Sequence, residues 1–214
     1  MIDSNAQIAA VNRSTGEVDL EVGKARSFTV AQTFGVPVER LWEACATARG
    51  ISSWFLPISG DLQLYGEYQL EGNASGQITT CDPLHEYTAT WIYSLDRSTV
   101  DVRFASERAE SSTLTLEHDI PIAQEVWEKF GPGGVGIGWD LTLMSLATHL
   151  ATGEPLSPED NLAFAKSDEG RRFLALSADE WATVAEDSGT RKHDARRAAE
   201  NARTSYEIVE DEQQ

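Results

Sequence analysis

The sequence contains very little cysteine and no long hydrophobic run. Its 214 residues include two cysteines, Cys45 and Cys81, which form neither a CxxC pair nor a metal-ligand spacing. Neither a disulfide framework nor a zinc site is therefore expected. No run approaches the roughly 18 apolar residues of a membrane span, and no apolar segment follows a basic start at the N-terminus. The sequence predicts a cytoplasmic protein without membrane insertion.

Positive charge is also scarce. The chain has 17 lysines and arginines against 35 aspartates and glutamates, which gives a formal net charge of -18. Binding to a phosphate backbone or to an anionic membrane normally requires a basic surface. The composition therefore argues against a nucleic-acid partner, while a basic protein partner stays compatible with it.

The sequence also lacks the common catalytic motifs. The sequence has no GxSxG and no HExxH, and its four histidines are scattered along the chain. Its glycine-rich run lacks the GK[ST] ending of a P-loop. No catalytic residue, metal or cofactor is predicted from these patterns.

The most distinctive stretch that is present runs from Gly131 to Leu150, GPGGVGIGWDLTLMSLATHL. After five glycines in eight positions, Trp139, Leu143, Leu146 and Leu150 recur at helical spacing and form one apolar stripe. The pattern predicts a hinge followed by a long helix. Three interpretations of the glycines remain: a phosphate cradle, a flexible gate over a cavity, and a close-packed turn.

Most of the chain before this helix has strand periodicity. Residues 26–34 alternate, with Phe28, Val30, Gln32 and Phe34 on one face. Helical spacing follows from Pro37 to Cys45, and a shorter piece covers 49–55. Turn residues then separate six predicted antiparallel strands, at about 59–64, 67–72, 75–81, 85–94, 98–106 and 110–119.

The predicted organisation has four parts. Residues 1–24 are a polar, loosely docked leader, and 25–152 form an α+β domain in which a seven-stranded curved antiparallel sheet wraps around the long helix. Residues 153–206 form a helical extension packed on that domain, with helices near 158–166, 168–176, 178–187 and 190–206. Residues 207–214 are an acidic tail.

Several short strings, in this order and spacing, resemble SRPBCC proteins of the heat shock protein 90 ATPase activator homologue type. More narrowly, the chain is similar to an actinobacterial branch that carries a C-terminal helical extension. The resemblance covers roughly residues 20–206. The strings are VERLWEA from Val38, WFLP from Trp54, GDL from Gly60, GNASGQI from Gly72, CDP from Cys81, TW from Thr90, LEH from Leu116, FGPG from Phe130 and GWD from Gly138.

This resemblance implies a helix-grip fold with a deep apolar cavity between the sheet and the long helix. Across the superfamily such cavities hold lipids, sterols, plant hormones and polyketides; some members are enzymes, and the eukaryotic namesake stimulates a chaperone ATPase through protein contact. Three functions are therefore open: binding of a small hydrophobic ligand without catalysis, interaction with a chaperone-like protein partner, and catalysis with His118 as acid or base. A cavity of several hundred cubic ångströms would favour the first. The chain is expected to be a monomer or homodimer.

The predicted cavity residues are mostly aromatic and face the interior at the place where sheet and helix meet. His118 is included because it shares the inner face with Leu116, and Gln32 is expected to lie opposite it on the first strand. The full set is Trp54, Phe55, Trp91, Tyr93, Phe104, Leu116, His118, Phe130, Trp139, Leu143 and Leu146.

Two charged features have structural interpretations. Asp140 is expected in the first turn of the long helix, where the helix dipole favours a carboxylate. A basic cluster near the C-terminus, from Arg191 to Arg203, is expected to dock on acidic surface of the domain, with an acidic surface of a second subunit and a solvated helix as the alternatives.

Overall fold

A computed structural model describes residues 3–20, 23–94 and 96–208, and one antiparallel sheet organises them. Its eight strands lie in the order β1-β2-β8-β7-β6-β5-β4-β3. The strands are β1 (Val11–Leu20), β2 (Gly23–Phe34), β3 (Ile58–Gly60), β4 (Glu67–Leu70), β5 (Ser75–Asp82), β6 (Glu86–Tyr93), β7 (Asp96–Arg108) and β8 (Ser111–Ile120).

Strand alternation determines which side chains reach the interior. In β8, Leu114, Leu116 and His118 are buried, and the residues between them are more exposed. The pairing with β2 places Val30 opposite Leu116 and Phe28 opposite His118. Because successive side chains of a strand point to opposite faces, this register builds a continuous apolar inner face.

Eight helices are described, and one of the two helices of 20 residues, α5, lies against the inner face of the sheet. Its Trp139, Leu143 and Leu146 are buried in the same core cluster as the strand residues. This arrangement confirms the helix-grip fold. The helices are α1 (Ser4–Ala10), α2 (Val38–Ala46), α3 (Ala48–Ser52), α4 (Gln124–Phe130), α5 (Gly133–Thr152), α6 (Pro158–Ala165), α7 (Asp168–Asp187) and α8 (Lys192–Ile208).

The N-terminal segment differs from the predicted loose leader. Residues 4–20 form α1 and β1, and β1 pairs with β2 from Val11 opposite Gln32 to Leu20 opposite Gly23. Side chains of Gln7 and Gln32 exchange two buried hydrogen bonds, of 2.8 and 3.1 Å. The sheet therefore has eight strands instead of seven, because this polar segment completes its edge.

Apart from Gly131, which lies at the C-cap of α4, the glycines of the run are helical, so the predicted hinge is wrong. Helix α5 begins at Gly133, and its glycines allow close contacts with the helical extension. A Cβ at Gly136 would lie 2.0 Å from Trp181, and one at Gly133 would lie 3.2 Å from Ala202. These glycines are explained by close packing, as in the third interpretation, although within a helix and not a turn.

The predicted break before Ser177 is absent. Residues 168–187 form the single helix α7, because Ser177 is buried and donates its hydroxyl to Asp140 instead of capping a new helix. Helix α4 was not predicted. Residues 209–214 of the predicted acidic tail lie outside the described part of the chain. Among the described helices, none combines the length and hydropathy that a membrane crossing requires.

Candidate ligand cavity

A cavity of about 120 Å³ lies between the inner face of the sheet and α5. Strands β3 to β8 form one wall, α5 forms the opposite wall, and α2, α3 and the segment after α3 close one end. Among the residues that the structure describes, no charged side chain lines it. The lining residues are Trp42, Cys45, Ala46, Ile51, Trp54, Phe55, Ile58, Leu62, Tyr68, Leu70, Ile78, Cys81, Tyr87, Ala89, Trp91, Val100, Val102, Leu114, Leu116, Trp139, Thr142, Leu143 and Leu146.

Aromatic rings make up much of the wall. Trp54 and Phe55 stack on each other, with ring centroids 5.6 Å apart. Trp91 on β6 meets Trp139 on α5 edge to face at 5.7 Å. Both geometries are favoured for aromatic pairs and add to the stabilisation from burial. The cavity is therefore bounded by rings that hold one another in place.

Several polar groups on the lining are already bonded within the protein. The indole N–H of Trp54 donates to the Ala44 carbonyl at 3.0 Å. The Tyr68 hydroxyl donates to the Thr90 carbonyl at 2.9 Å, and the Tyr87 hydroxyl donates to the Cys45 carbonyl at 3.0 Å. These donors stabilise the walls, and they leave the cavity with an apolar surface.

The titratable groups on the lining are two thiols and two phenols, all neutral at neutral pH. Burial raises the pKa of Tyr68 to about 12 and raises the pKa of Tyr87 further. Burial likewise raises the pKa of the Cys45 and Cys81 thiols. Since a reactive cysteine requires a stabilised thiolate, neither thiol has the environment of a nucleophile.

The structure brings seven of the eleven predicted cavity residues to the lining and places four elsewhere. Tyr93 is 55% exposed at the end of β6. Phe104 packs beneath Trp42, with ring centroids 5.0 Å apart. Phe130 ends α4 and packs half-buried against the main core, and His118 lies behind the wall.

The residues that sequence reasoning missed come mainly from the small end of the sheet and from α2. Tyr68, Leu70 and Ile78 are the buried positions of β4 and β5, and the alternation of apolar residues in those predicted strands could have placed them on the inner face. Trp42 lies on α2, within the stretch of predicted helical spacing from Pro37 to Cys45, and it lines the cavity. Its helical spacing with Val38 and Cys45 predicts which face of α2 is buried, but it does not predict that a cavity lies beside that face.

His118 is buried and has hydrogen-bond partners for both ring nitrogens. The Trp139 indole N–H donates to Nδ1 at 3.2 Å, and Nε2 lies 2.8 Å from the Ser98 hydroxyl. Burial lowers the pKa of His118 to about 3, so the ring is neutral at neutral pH. The expected neighbour Gln32 lies opposite Leu114 and bonds Gln7 instead, because the register of β2 places Phe28 opposite His118.

Asp140 is part of a buried charged cluster on the other side of α5. It lies well inside the helix, not in its first turn as predicted, because α5 begins at Gly133. Arg13 Nε donates to both carboxylate oxygens at 3.0 Å, and Trp181 and Ser177 donate to one of them. Burial raises the pKa of Asp140 and Arg13 opposes that shift. Because every contact is a donor, the ionised carboxylate fits the cluster.

The basic residues of α8 do not dock on the domain as predicted. Arg191, which directly precedes α8, and Arg196 are mostly exposed, and Asp194 in the first turn of α8 pairs with Arg191 at 2.7 Å and with Arg197 at 3.1 Å. The helix packs through its small apolar face, which includes the buried Ala195 and Ala202. The alternative of a solvated charged face therefore describes α8 better. Among the described residues, no group of three or more His, Cys, Asp or Glu is placed to hold a metal ion.

Comparisons with solved structures give the same architecture. The solution NMR structure of CalU16 from Micromonospora echinospora is 30% identical, with a TM-score of 0.68, over 85% of this chain and 97% of that chain. The crystal structure of CalU16 is 29% identical, with a TM-score of 0.66, over 83% and 99%. The likeness thus extends over nearly the whole length of CalU16.

A second similar structure is that of PFC0360w, an HSP90 activator from Plasmodium falciparum. It is 26% identical, with a TM-score of 0.50, over 60% of this chain and 97% of that chain. No family model matches the chain, and no curated protein matches it.

Proposed function

Because this chain belongs to the SRPBCC superfamily and is of the heat shock protein 90 ATPase activator homologue type, we propose that it binds a small neutral apolar molecule in its cavity without catalysing a reaction. The observation that carries the proposal is the lining, in which aromatic and aliphatic side chains surround an unfilled space and none is charged. Such lining is typical of sites for hydrophobic ligands.

The volume limits the size of the ligand. Ligand pockets for drug-sized molecules measure about 300–1,000 Å³. The cavity of about 120 Å³ is too small for such molecules. An apolar cavity of about 150 Å³ binds benzene in another protein. The preferred ligand in this conformation therefore has about one ring, and a larger ligand requires the walls to move.

The chemistry of the walls supports binding over catalysis. A general acid or base works best with a pKa near the operating pH. The lining thiols and phenols all have a raised pKa, and His118 lies behind the wall with both nitrogens engaged. The hypothesis of His118 as a cavity acid or base therefore has no support from the geometry.

Calorimetric titration of the purified protein with benzene tests the proposal, together with native mass spectrometry for any ligand that is purified with it. Ala89 lines the cavity, so Ala89→Leu fills part of it and should weaken benzene binding at least tenfold. Ala105 is an exposed strand alanine, and Ala105→Leu is the matched control. No binding of benzene or of related one-ring compounds, or equal binding by both variants, contradicts the proposal.

Modulation of a chaperone ATPase is a second candidate, favoured by the similarity to the HSP90 activator. Exposed apolar side chains, including Leu64, Tyr65 and Tyr93, give this chain contact surface outside the cavity. The test is the ATPase rate of an HSP90-type chaperone with and without the purified protein. Stimulation that persists in the Ala89→Leu variant supports this function independently of the cavity, and no stimulation at saturating protein rejects it.

A further inference from the structure

A chain of hydrogen bonds lies behind the cavity wall and connects two of its tryptophans. The Trp139 indole N–H donates to His118 Nδ1 at 3.2 Å, His118 Nε2 lies 2.8 Å from Ser98 Oγ, and that hydroxyl donates to the Trp91 carbonyl at 3.0 Å. Ser98 and His118 are both buried, at 7% and 5% exposure. The chain therefore lies inside the protein, away from solvent.

Only one arrangement of protons satisfies these contacts. An indole nitrogen can donate but cannot accept, so His118 Nδ1 must carry the lone pair. The single proton of the neutral ring is then on Nε2, which donates to Ser98, and Ser98 donates its own proton to Trp91. Ser98 is thus an acceptor from His118, the opposite of a serine nucleophile activated by a histidine base.

The same rings also pack against one another. The His118 ring centroid lies 5.5 Å from that of Trp139 and 5.8 Å from that of Trp91, in both cases edge to face. Trp91 and Trp139 line the cavity, whereas His118 does not. His118 therefore fixes two wall residues from behind, by its hydrogen bond to one and its packing against both.

We propose that His118, oriented by Ser98, is a positioning residue that sets the specificity of the cavity: by holding the Trp139 N–H behind the wall, it leaves the cavity without that donor and so favours ligands that have no hydrogen-bond acceptor. This inference rests on the proposed ligand-binding function. A ligand acceptor in the cavity meets no donor from Trp139, and burying that acceptor without a partner is unfavourable. A bare hydrocarbon ring carries no such penalty.

Benzene and pyridine form a matched probe pair, because they share shape and size and differ by one acceptor nitrogen. The wild-type protein and the variant His118→Phe are titrated with both at pH 8. The variant frees the Trp139 donor, so the ratio of benzene to pyridine affinity should fall about two- to tenfold, the range for one neutral hydrogen bond. His118→Gln, whose amide oxygen can accept from the indole, should keep a ratio near that of the wild type.

The double variant His118→Phe, Trp139→Phe removes the freed donor and should restore the wild-type ratio. Binding of benzene by the wild type with an unchanged ratio in His118→Phe overturns the role of His118 but not the proposed function. Absence of binding for both probes rejects the proposed function itself. Unfolding midpoints of all variants establish that they are folded.

Nitrogen-15 NMR of the wild-type protein tests the arrangement without any substitution. His118 should show the Nε2–H tautomer, and the Trp139 indole proton should exchange slowly with deuterium. Saturating pyridine should leave the Trp139 indole resonance in place. The opposite tautomer, or a pyridine-dependent downfield shift of that resonance, overturns the inference even if His118→Phe does not fold.

Discussion

The two sides of helix α5 are packed in opposite ways. Towards the sheet, Trp139 and Leu143 border an unfilled cavity of about 120 Å³. Towards the helical extension, Gly136 leaves no room for even one added carbon, since its Cβ would lie 2.0 Å from Trp181. Polar groups differ as well, because the cavity side has the neutral pair of His118 and Ser98 and the extension side has the ion pair of Arg13 and Asp140.

This difference indicates how the fold can maintain an unfilled cavity: the surrounding elements do not move in to fill it. An apolar void costs stability because its lining lacks contact partners. The tight contacts with α7 and α8, and the charges between α5 and β1, hold the helix from its other side. The rigid side of α5 thus preserves the position of the side that borders the cavity.

Asp140→Ala should disrupt the packing of α5 against the helical extension and should lower the free energy of unfolding more than any other change considered. Arg13, whose side chain is 3% exposed, would lose its counter-ion, and removing one partner of a buried pair costs about 3–5 kcal/mol. Denaturant unfolding measures the loss. Asp179→Ala, at an exposed position of α7, is the control and should change stability by less than about 0.5 kcal/mol. Equal stability of the two variants would contradict the assignment.

Gly136→Ala should produce the next largest loss. The added methyl group overlaps the Trp181 ring, and overpacking of this kind costs about 1–3 kcal/mol even though alanine favours a helix. Gly35→Ala is the matched control, because no atom lies within 4 Å of its Cβ position. A crystal structure or unfolding curve in which Gly136→Ala is as stable as the wild type would show that this side can adjust.

Lowering the pH should destabilise the folded protein through the buried His118 on the cavity side of α5. Its pKa is about 3 in the folded protein and about 6.5 when unfolded. Between these values the unfolded state binds more protons, so the stability present above pH 6.5 is lost as the pH falls towards 3. From pH 7.5 to pH 5 the wild type should lose about 2 kcal/mol more than His118→Gln. Unfolding curves at both pH values test this, and parallel losses would refute it.

Ala89→Leu should have the smallest effect on stability, within about 1 kcal/mol, although it adds three carbon atoms. Its side chain enters the cavity, where new contacts replace empty space. The comparison with Gly136→Ala is direct, because one added carbon is costly on one side of α5 and three are tolerated on the other. A large loss for Ala89→Leu would indicate that the walls close over the space in solution.

The sequence predicted the elements whose signals are local. The alternation of Leu114, Leu116 and His118 gave the inner face of β8, and the spacing of Trp139, Leu143 and Leu146 gave the face of α5. The order of the short strings supplied the arrangement of these elements. Five of the seven correctly predicted cavity residues followed from the two faces, since residues on facing surfaces of known elements must meet; Trp54 and Phe55 come from the segment after α3.

The sequence did not predict contacts between distant polar residues. Ser177 has the capping pattern of a helix start, but Asp140 accepts its hydroxyl and the helix continues. Gly136 resembles a hinge residue until Trp181 is placed against it. Nothing near Arg13 in the chain marks it as the partner of Asp140. In each case tertiary packing overrides the local signal, and no window of adjacent residues contains both partners.

The ion pair between Arg13 and Asp140 has a consequence for synthesis of the chain. The two residues are separated by 127 positions, and the other donors to Asp140 come still later. At about 5–20 residues per second, a ribosome needs roughly 6–25 s to reach Asp140 after Arg13. Strands β1 and β2 can pair during that time, but Arg13 cannot be buried with its counter-ion. The edge of the sheet can therefore form before the counter-ion of Arg13 exists, and the hydrogen bonds to Asp140 are complete only when α7 has been translated.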